Sequence, residues 1–196
     1  MAQTYANTVF SEYELRELAI KMNDDGEGDF VHADCVGSWE VEAETLQVTK
    51  NCRGKVAKRR TMGTGSGTVT YSGHIPNGLI VKMFNMDSDR LQTGVAGYGQ
   101  DSRHREFTAV GKVLDEDGNV KYIAYPKMVA NTFTGTIENG SEEVAEREIE
   151  LSFMPDDNGF GYYEATEADL GTDEAGLKTK WMTAWTPELM LATPEA

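Results

Sequence analysis

The side chains able to do chemistry in this 196-residue chain are scattered, not assembled. His32, His74 and His104 lie in separate segments with no motif around them, as surface or capping histidines do. Ser72 and Ser102 lack the strand-turn-helix setting of a nucleophile elbow. Gly63-Thr64-Gly65-Ser66-Gly67 is glycine-rich, but no Lys-Ser/Thr follows it and no helix opens there, which disfavours a phosphate loop. Asp115-Glu116-Asp117-Gly118-Asn119 has the opening of a calcium loop, yet Pro126 stands where the closing glutamate belongs, and strand-like flanks make a hairpin turn the better reading. Cys35 and Cys52 form no Cys/His ligand cluster and are expected as buried or half-buried free thiols in a reducing compartment. Carboxylate pairs are frequent, but among 33 acids they arise by chance. Nothing joins a nucleophile, a base and an oxyanion site. The chain is therefore expected not to be an enzyme, with no catalytic residue, cofactor or metal ligand.

The informative chemistry is charge. Residues 50–60 hold six basic side chains and no acid: Lys50, Arg53, Lys55, Lys58, Arg59 and Arg60. The whole chain has 18 bases against 33 acids, a net charge of -15. A positive segment on a negative body is complementary to another copy of itself, in the manner of heterologous, head-to-tail association. These six residues are the candidate contact between subunits. A solvated loop or a nonspecific polyanion patch would have the same composition. A body this acidic is not expected to bind DNA by neutralising phosphates.

Length allows one domain with a real core, and 39% hydrophobic with 26% charged residues suits a folded protein. Apolar runs such as Gly78-Leu79-Ile80-Val81 are far too short to span a membrane as a helix. Met1-Ala2-Gln3-Thr4-Tyr5 lacks the form of a signal peptide, and synthesis is expected in the cytoplasm. The expected layout is one domain over 1–196, with an N-terminal arm of about 1–12 and a C-terminal arm of about 166–196.

Elements follow from periodicity. Ser11 and Glu14 form a capping box, and Leu15, Leu18, Ala19 and Met22 make a helical stripe. Leu18, Ile20 and Met22 also alternate before a strong turn at 23–28, so helix and strand remain equal readings for 11–22. Trp39, Val41 and Ala43 alternate with Glu40, Glu42 and Glu44, one apolar and one acidic face. The basic segment then joins this strand to another over 60–71, a long hairpin. Pro76 opens a helix to about Met86 carrying Ile75, Leu79, Ile80, Met83 and Phe84. Strands follow over 105–114, 120–128 and 144–154, the last alternating cleanly from Arg147.

Several segments in succession carry a resemblance. Lys58-Arg59-Arg60-Thr61 runs into Gly65-Ser66-Gly67-Thr68-Val69-Thr70-Tyr71-Ser72-Gly73-His74-Ile75-Pro76. Val110-Gly111-Lys112-Val113, Asp115–Lys121, Gly135–Gly140, Ala145–Leu151 and Met154-Pro155-Asp156 follow. In order and spacing, roughly residues 30–165 resemble the major tail proteins, or tail tube proteins, of long-tailed bacteriophages. The resemblance implies a mainly β fold, a β-sandwich of two packed sheets with one flanking helix. It implies self-assembly into homo-hexameric rings stacked into a tube around a lumen, with a long hairpin and the termini making contacts between rings. It further implies a tape-measure protein inside, tail terminator and distal tail proteins at the ends, DNA passing without specific binding, and no membrane partner. Location would be the virion tail, after assembly in the host cytoplasm. The inner tube of a contractile tail or injection device shares that fold, and a surrounding sheath separates the two. A monomeric β-sandwich binding module would instead stay monomeric and carry an aromatic ligand platform.

Overall fold

A computed structural model describes the chain except residues 1–4, 6, 7, 27, 54, 138, 141–143, 173–175 and 193–196. The strands are β1 (Glu14–Met22), β2 (Val31–His32), β3 (Cys35–Cys52), β4 (Lys55–His74), β5 (Phe107–Leu114), β6 (Val120–Ala130), β7 (Arg147–Met154) and β8 (Tyr163–Thr166). Helix α1 (Asn77–Met83) follows β4, and α2 (Leu177–Lys180) with a 3-10 turn (Pro187–Met190) lies near the C-terminus. All pairings among the strands are antiparallel.

The mainly β architecture is present, and its packed layers are parts of one hydrogen-bonded sheet. The order is β2-β1-β5-β6-β7-β4-β3, with β8 on β6. Lys121–Ala124 of β6 pair with β8 and Lys127–Ala130 with β7, so the sheet divides on one side of β6. Pro126 sits at the division, where a strand loses least by lacking an N–H. The sheet then curls. β1 and β3 are far apart along the pairing path, yet bring Cα atoms within 8 Å of each other. The cause is covalent, since β2 on one edge runs through only Ala33 and Asp34 into β3 on the other. The Ala33 N–H donates to the Leu18 carbonyl at 2.7 Å and the Leu18 N–H to the Asp34 carboxylate at 3.0 Å, which fastens that corner.

Inside the curl lies the main core. Leu18, Ile20 and Met22 of β1 meet Val69 and Tyr71 of β4, Ile149, Leu151 and Phe153 of β7, and Leu79, Ile80 and Met83 of α1. Trp39 of β3 and Tyr125 of β6 meet with ring centroids 5.7 Å apart. Gly67 is required here, because a Cβ would run into the Glu42 carbonyl and the Phe153 ring. A second core lies on the opposite face of β1, β5 and β6, where Ala19, Val110, Tyr122 and Ala124 are covered by Trp181, Met182 and Trp185. The segment expected as a C-terminal arm thus lies against the sheet over its described part.

Residues 14–22 are strand, which decides between the two sequence readings. The Tyr13 N–H donates to the Leu114 carbonyl, and β1 pairs with β5 along its length. Helix α1 ends at Met83, short of the expected Met86, because Asn85 takes a left-handed φ of 48° and turns the chain. The strand expected from Arg105 begins at Phe107. Arg105 has another task, holding the β1 turn. Its guanidinium donates to Asp24 at 2.8 Å and to Asp25 at 2.6 Å, and Lys82 of α1 reaches Asp25 at 2.7 Å.

This knot gives a pH prediction. Hydrogen bonding from Arg105 lowers the Asp24 pKa below 3.8, and hydrogen bonding from Lys82, then Arg105, lowers that of Asp25. A lowered folded-state carboxylate contributes stability present above the unfolded pKa and lost as pH falls through the folded one. Arg105→Ala should therefore lower Tm at pH 6, and the gap from wild type should shrink below pH about 3.8. A gap unchanged from about pH 6 to pH 2.5 would mean that Arg105 acts through packing and not charge.

Candidate functional site

The two strands of the long hairpin have different surroundings along their length. Near its base, Val69, Tyr71 and Gly67 of β4 are buried, and Trp39 packs against the core. Beyond Ala43 and Gly67 every residue of β3, and every residue of β4 before Gly65, is exposed. The pairing continues nonetheless, from Thr45↔Gly63 to Cys52↔Lys55. A free two-stranded ribbon of about 25 Å, at about 3.3 Å per residue, therefore projects from the body. Arg53 at its tip takes a left-handed φ of 52°. Such a ribbon alone in water is marginal, since neither face is covered.

Register sorts its side chains. Leu46 opposes Met62, Val48 opposes Arg60 and Lys50 opposes Lys58, and residues two apart on a strand share a face. One face thus carries Leu46, Val48 and Met62, exposed at 53%, 51% and 41%, and then three cations toward the tip. The other carries Thr45, Gln47, Thr49, Arg59 and Thr61. Of the six basic residues singled out from sequence, Lys50, Lys58 and Arg60 share the apolar face, Arg59 faces the other way, and Arg53 and Lys55 lie at the tip. None of the six makes an ion pair among the described residues. Lys50 directly opposite Lys58 repels, so the arrangement costs stability in the isolated chain. The apolar half of this face was missed from sequence, although Leu46, Val48 and Lys50 alternate there.

A second surface has the opposite character. On the outer face of β3, β4 and β7 the register aligns Glu40, Thr70 and Glu150 in one row, with Glu42, Thr68 and Ser152 on one side of it and Ser38, Ser72 and Glu148 on the other. These positions hold carboxylates and hydroxyls with no basic residue. Ser72 donates to Glu146 at 2.6 Å and Asn131 to Glu150 at 2.7 Å. No described ion pair neutralises Glu40, Glu42, Glu148 or Glu150.

The residues weighed for other chemistry fall into structural places. Asp115 accepts from the N–H groups of Asp117 and Asn119 and from the Asn119 amide, which holds its carboxyl below the usual range and shapes the β5–β6 turn. Gly63–Gly67 lies within β4. His104 bridges the Ala130 carbonyl, 2.5 Å from Nδ1, and the Tyr98 hydroxyl, 2.9 Å from Nε2. His32 lies 3.4 Å from Asp34, and His74 ends β4, so the three histidines remain apart. The two cysteines correct the sequence expectation: both are free and both exposed. They occupy the first and last positions of β3, one at the rim of the body and the other at the arm's tip, where no core reaches. No group of three His, Cys, Asp or Glu side chains is placed to hold a metal among the described residues. No helix among them is long and apolar enough to cross a membrane.

No family model matches the chain, and no curated protein sequence matches it significantly. Solved structures give remote likenesses. The anti-feeding prophage cap, a tube-terminating cap, aligns with a TM-score of 0.44 at 11% identity, over 83% of this chain and 96% of that one. A chain of the anti-feeding prophage baseplate aligns with a TM-score of 0.44 at 10% identity, over 81% and 97%. A chain of the sheath-tube complex of an extracellular contractile injection system, in its extended state, gives 0.40 at 10%, over 77% and 89%.

Proposed function

We propose that this chain is a structural subunit of a phage-type tail tube, assembling head to tail with copies of itself. The observation that carries the reading is the arm. It is a paired ribbon beyond any core, with an apolar stripe and unpaired cations on one face, and it needs a covering that its own body does not give. A second copy supplies opposite charge in quantity. The sequence resemblance points the same way, with the long hairpin as the contact between rings. Rings of six subunits, a tape-measure protein within, terminator and distal tail proteins at the ends, and a location in the virion are the finer parts of this proposal. No catalytic step belongs to it.

In this reading the acidic face of β3, β4 and β7 suits a conduit. Duplex DNA carries one negative charge per about 1.7 Å, so a lining of unneutralised carboxylates and small hydroxyls repels it and allows passage without binding. The cationic arm is kept out of the lumen by packing on a neighbour.

The test is polymerisation of the pure protein. Electron microscopy at increasing concentration should show rings or tubes, and their yield should fall as salt rises, because exposed charges are screened over about 8 Å at physiological ionic strength. A compact monomer at every concentration and salt would refute the proposal and favour a monomeric binding module.

A further inference from the structure

The arm must seat somewhere, and its side chains say what the seat contains. Leu46, Val48 and Met62 call for apolar area, while Lys50, Lys58 and Arg60 call for carboxylates beside it. The acidic sheet face offers only the second. A surface with exposed aromatic rings beside carboxylates offers both. The loop between α1 and β5 leaves a cleft of about 490 Å³ lined by Asp87, Arg90, Leu91, Tyr98, Gln100 and Asp101. Tyr98 stacks on Phe133 at 5.1 Å between ring centroids, and both rings, with Leu91, are substantially exposed. Phe84 supports the pair from below, edge-on to Phe133 at 5.1 Å, and is itself fully buried. The rings thus form a packed aromatic platform anchored on a buried side chain, with Arg147 5.5 Å from the Phe133 ring centroid. Arg90 is the cation in the cleft and is already paired with Asp101 at 2.8 Å, which leaves Asp87 unopposed.

We infer that this cleft and its aromatic platform form the socket for the arm of a second copy, with Leu46 and Met62 on Leu91 and Tyr98 and the arm's cations toward Asp87 and Asp101. The inference rests on the arm being the contact between subunits and adds where it lands. Plug and socket lie on different surfaces of one chain, so the contact is heterologous and propagates instead of closing as a dimer. The arm's rim is cationic, while the cleft sets two carboxylates, Asp87 and Asp101, against one cation, Arg90, so the arm is better matched by the cleft than by a copy of itself.

Two experiments separate the socket from the arm. In a background with Cys35 and Cys52 both replaced by serine, Met62→Cys and Gln100→Cys are combined and oxidised after assembly. A ladder of covalent oligomers on a non-reducing gel is expected. Tubes without a ladder, or a ladder from Met62→Cys with Glu148→Cys instead, would move the seat elsewhere, in the second case to the acidic sheet face. In the charge exchange, Arg60→Asp alone and Asp101→Arg alone should each raise the concentration needed to polymerise about fivefold, and the double variant should recover most of it. If Arg60→Asp blocks assembly but Asp101→Arg does not, the socket is wrong and the arm reading stands. If Arg60→Asp assembles normally, both fall. Circular dichroism confirms folding in each case, and all seven substituted positions are exposed.

Discussion

Replacing Lys50, Lys58 and Arg60 together with glutamate is expected to leave the fold intact and to stop polymerisation. The fold survives because these residues lie on the part of the hairpin that no core touches. Glutamate even removes the opposition of Lys50 and Lys58, although it sets a like-charge pair of the other sign in their place. Assembly fails because three attractive contacts become repulsive. If each exposed pair is worth about 0.5 kcal/mol, reversal changes the total by about 3 kcal/mol. That is about a hundredfold in the subunit concentration needed, at about 1.4 kcal/mol per tenfold. Arg59→Glu is the internal control, since Arg59 faces the other way and its reversal should act several times more weakly. Sedimentation of tubes against free subunit measures both. Normal polymerisation of the triple variant would assign residues 50–60 to solvent.

The second large effect concerns the C-terminal cover. Trp181→Ala should destabilise the subunit by about 3–5 kcal/mol, the range for a buried Trp reduced to Ala. Trp181 is 1% exposed, lies 5.6 Å from the Tyr122 ring, and donates its indole N–H to the Ile123 carbonyl at 2.9 Å. Its loss also leaves that carbonyl without its indole donor. For a domain of this size the loss corresponds to roughly 10 °C in Tm. The measurement belongs on the triple glutamate variant, because assembly would itself raise Tm with concentration. Trp181→Phe keeps most of the packing and should cost clearly less. A Tm within about 2 °C of the parent would show that the cover contributes little to folding.

What the sequence conveyed depended on how many faces of a segment are buried. The hairpin of β3 and β4 was legible because Trp39, Val41 and Ala43 alternate with glutamates, although of the three only Trp39 packs against the core. The strand from Arg147 was legible because one face is covered, with Ile149, Leu151 and Phe153 inward. Segment 14–22 was ambiguous because it is covered on both sides. Leu18, Ile20 and Met22 face the main core while Ala19 lies under the tryptophan cover, and apolar residues on both faces fill in a helix-like stripe. The curl of the sheet was invisible, since it depends on β2 and β3 being one chain bent at Ala33 and Asp34. Of the candidate contact, the charges were plain as a run. Their division between two faces of the arm was not, because the offset between Lys50 and Asn51 shifts the register and only the partner strand reveals it. The proposed socket had no sequence signal, because it joins Leu91 and Tyr98 of one loop to Phe133 of another.

The arm is not a separate appendage attached to the body. Its two strands are the outer ends of β3 and β4, whose inner ends are knitted into the core through Trp39 and Tyr71. In an antiparallel ladder the hydrogen bonds stand perpendicular to the strands. A pull on the arm along its axis is shared by both strands, which are joined at the tip, and slides β4 against β7, so the bonds from Gly67 to Gly73 resist together instead of opening in turn. Any tension applied to the arm would enter the body as shear distributed over this ladder, with the aromatic core as its anchor.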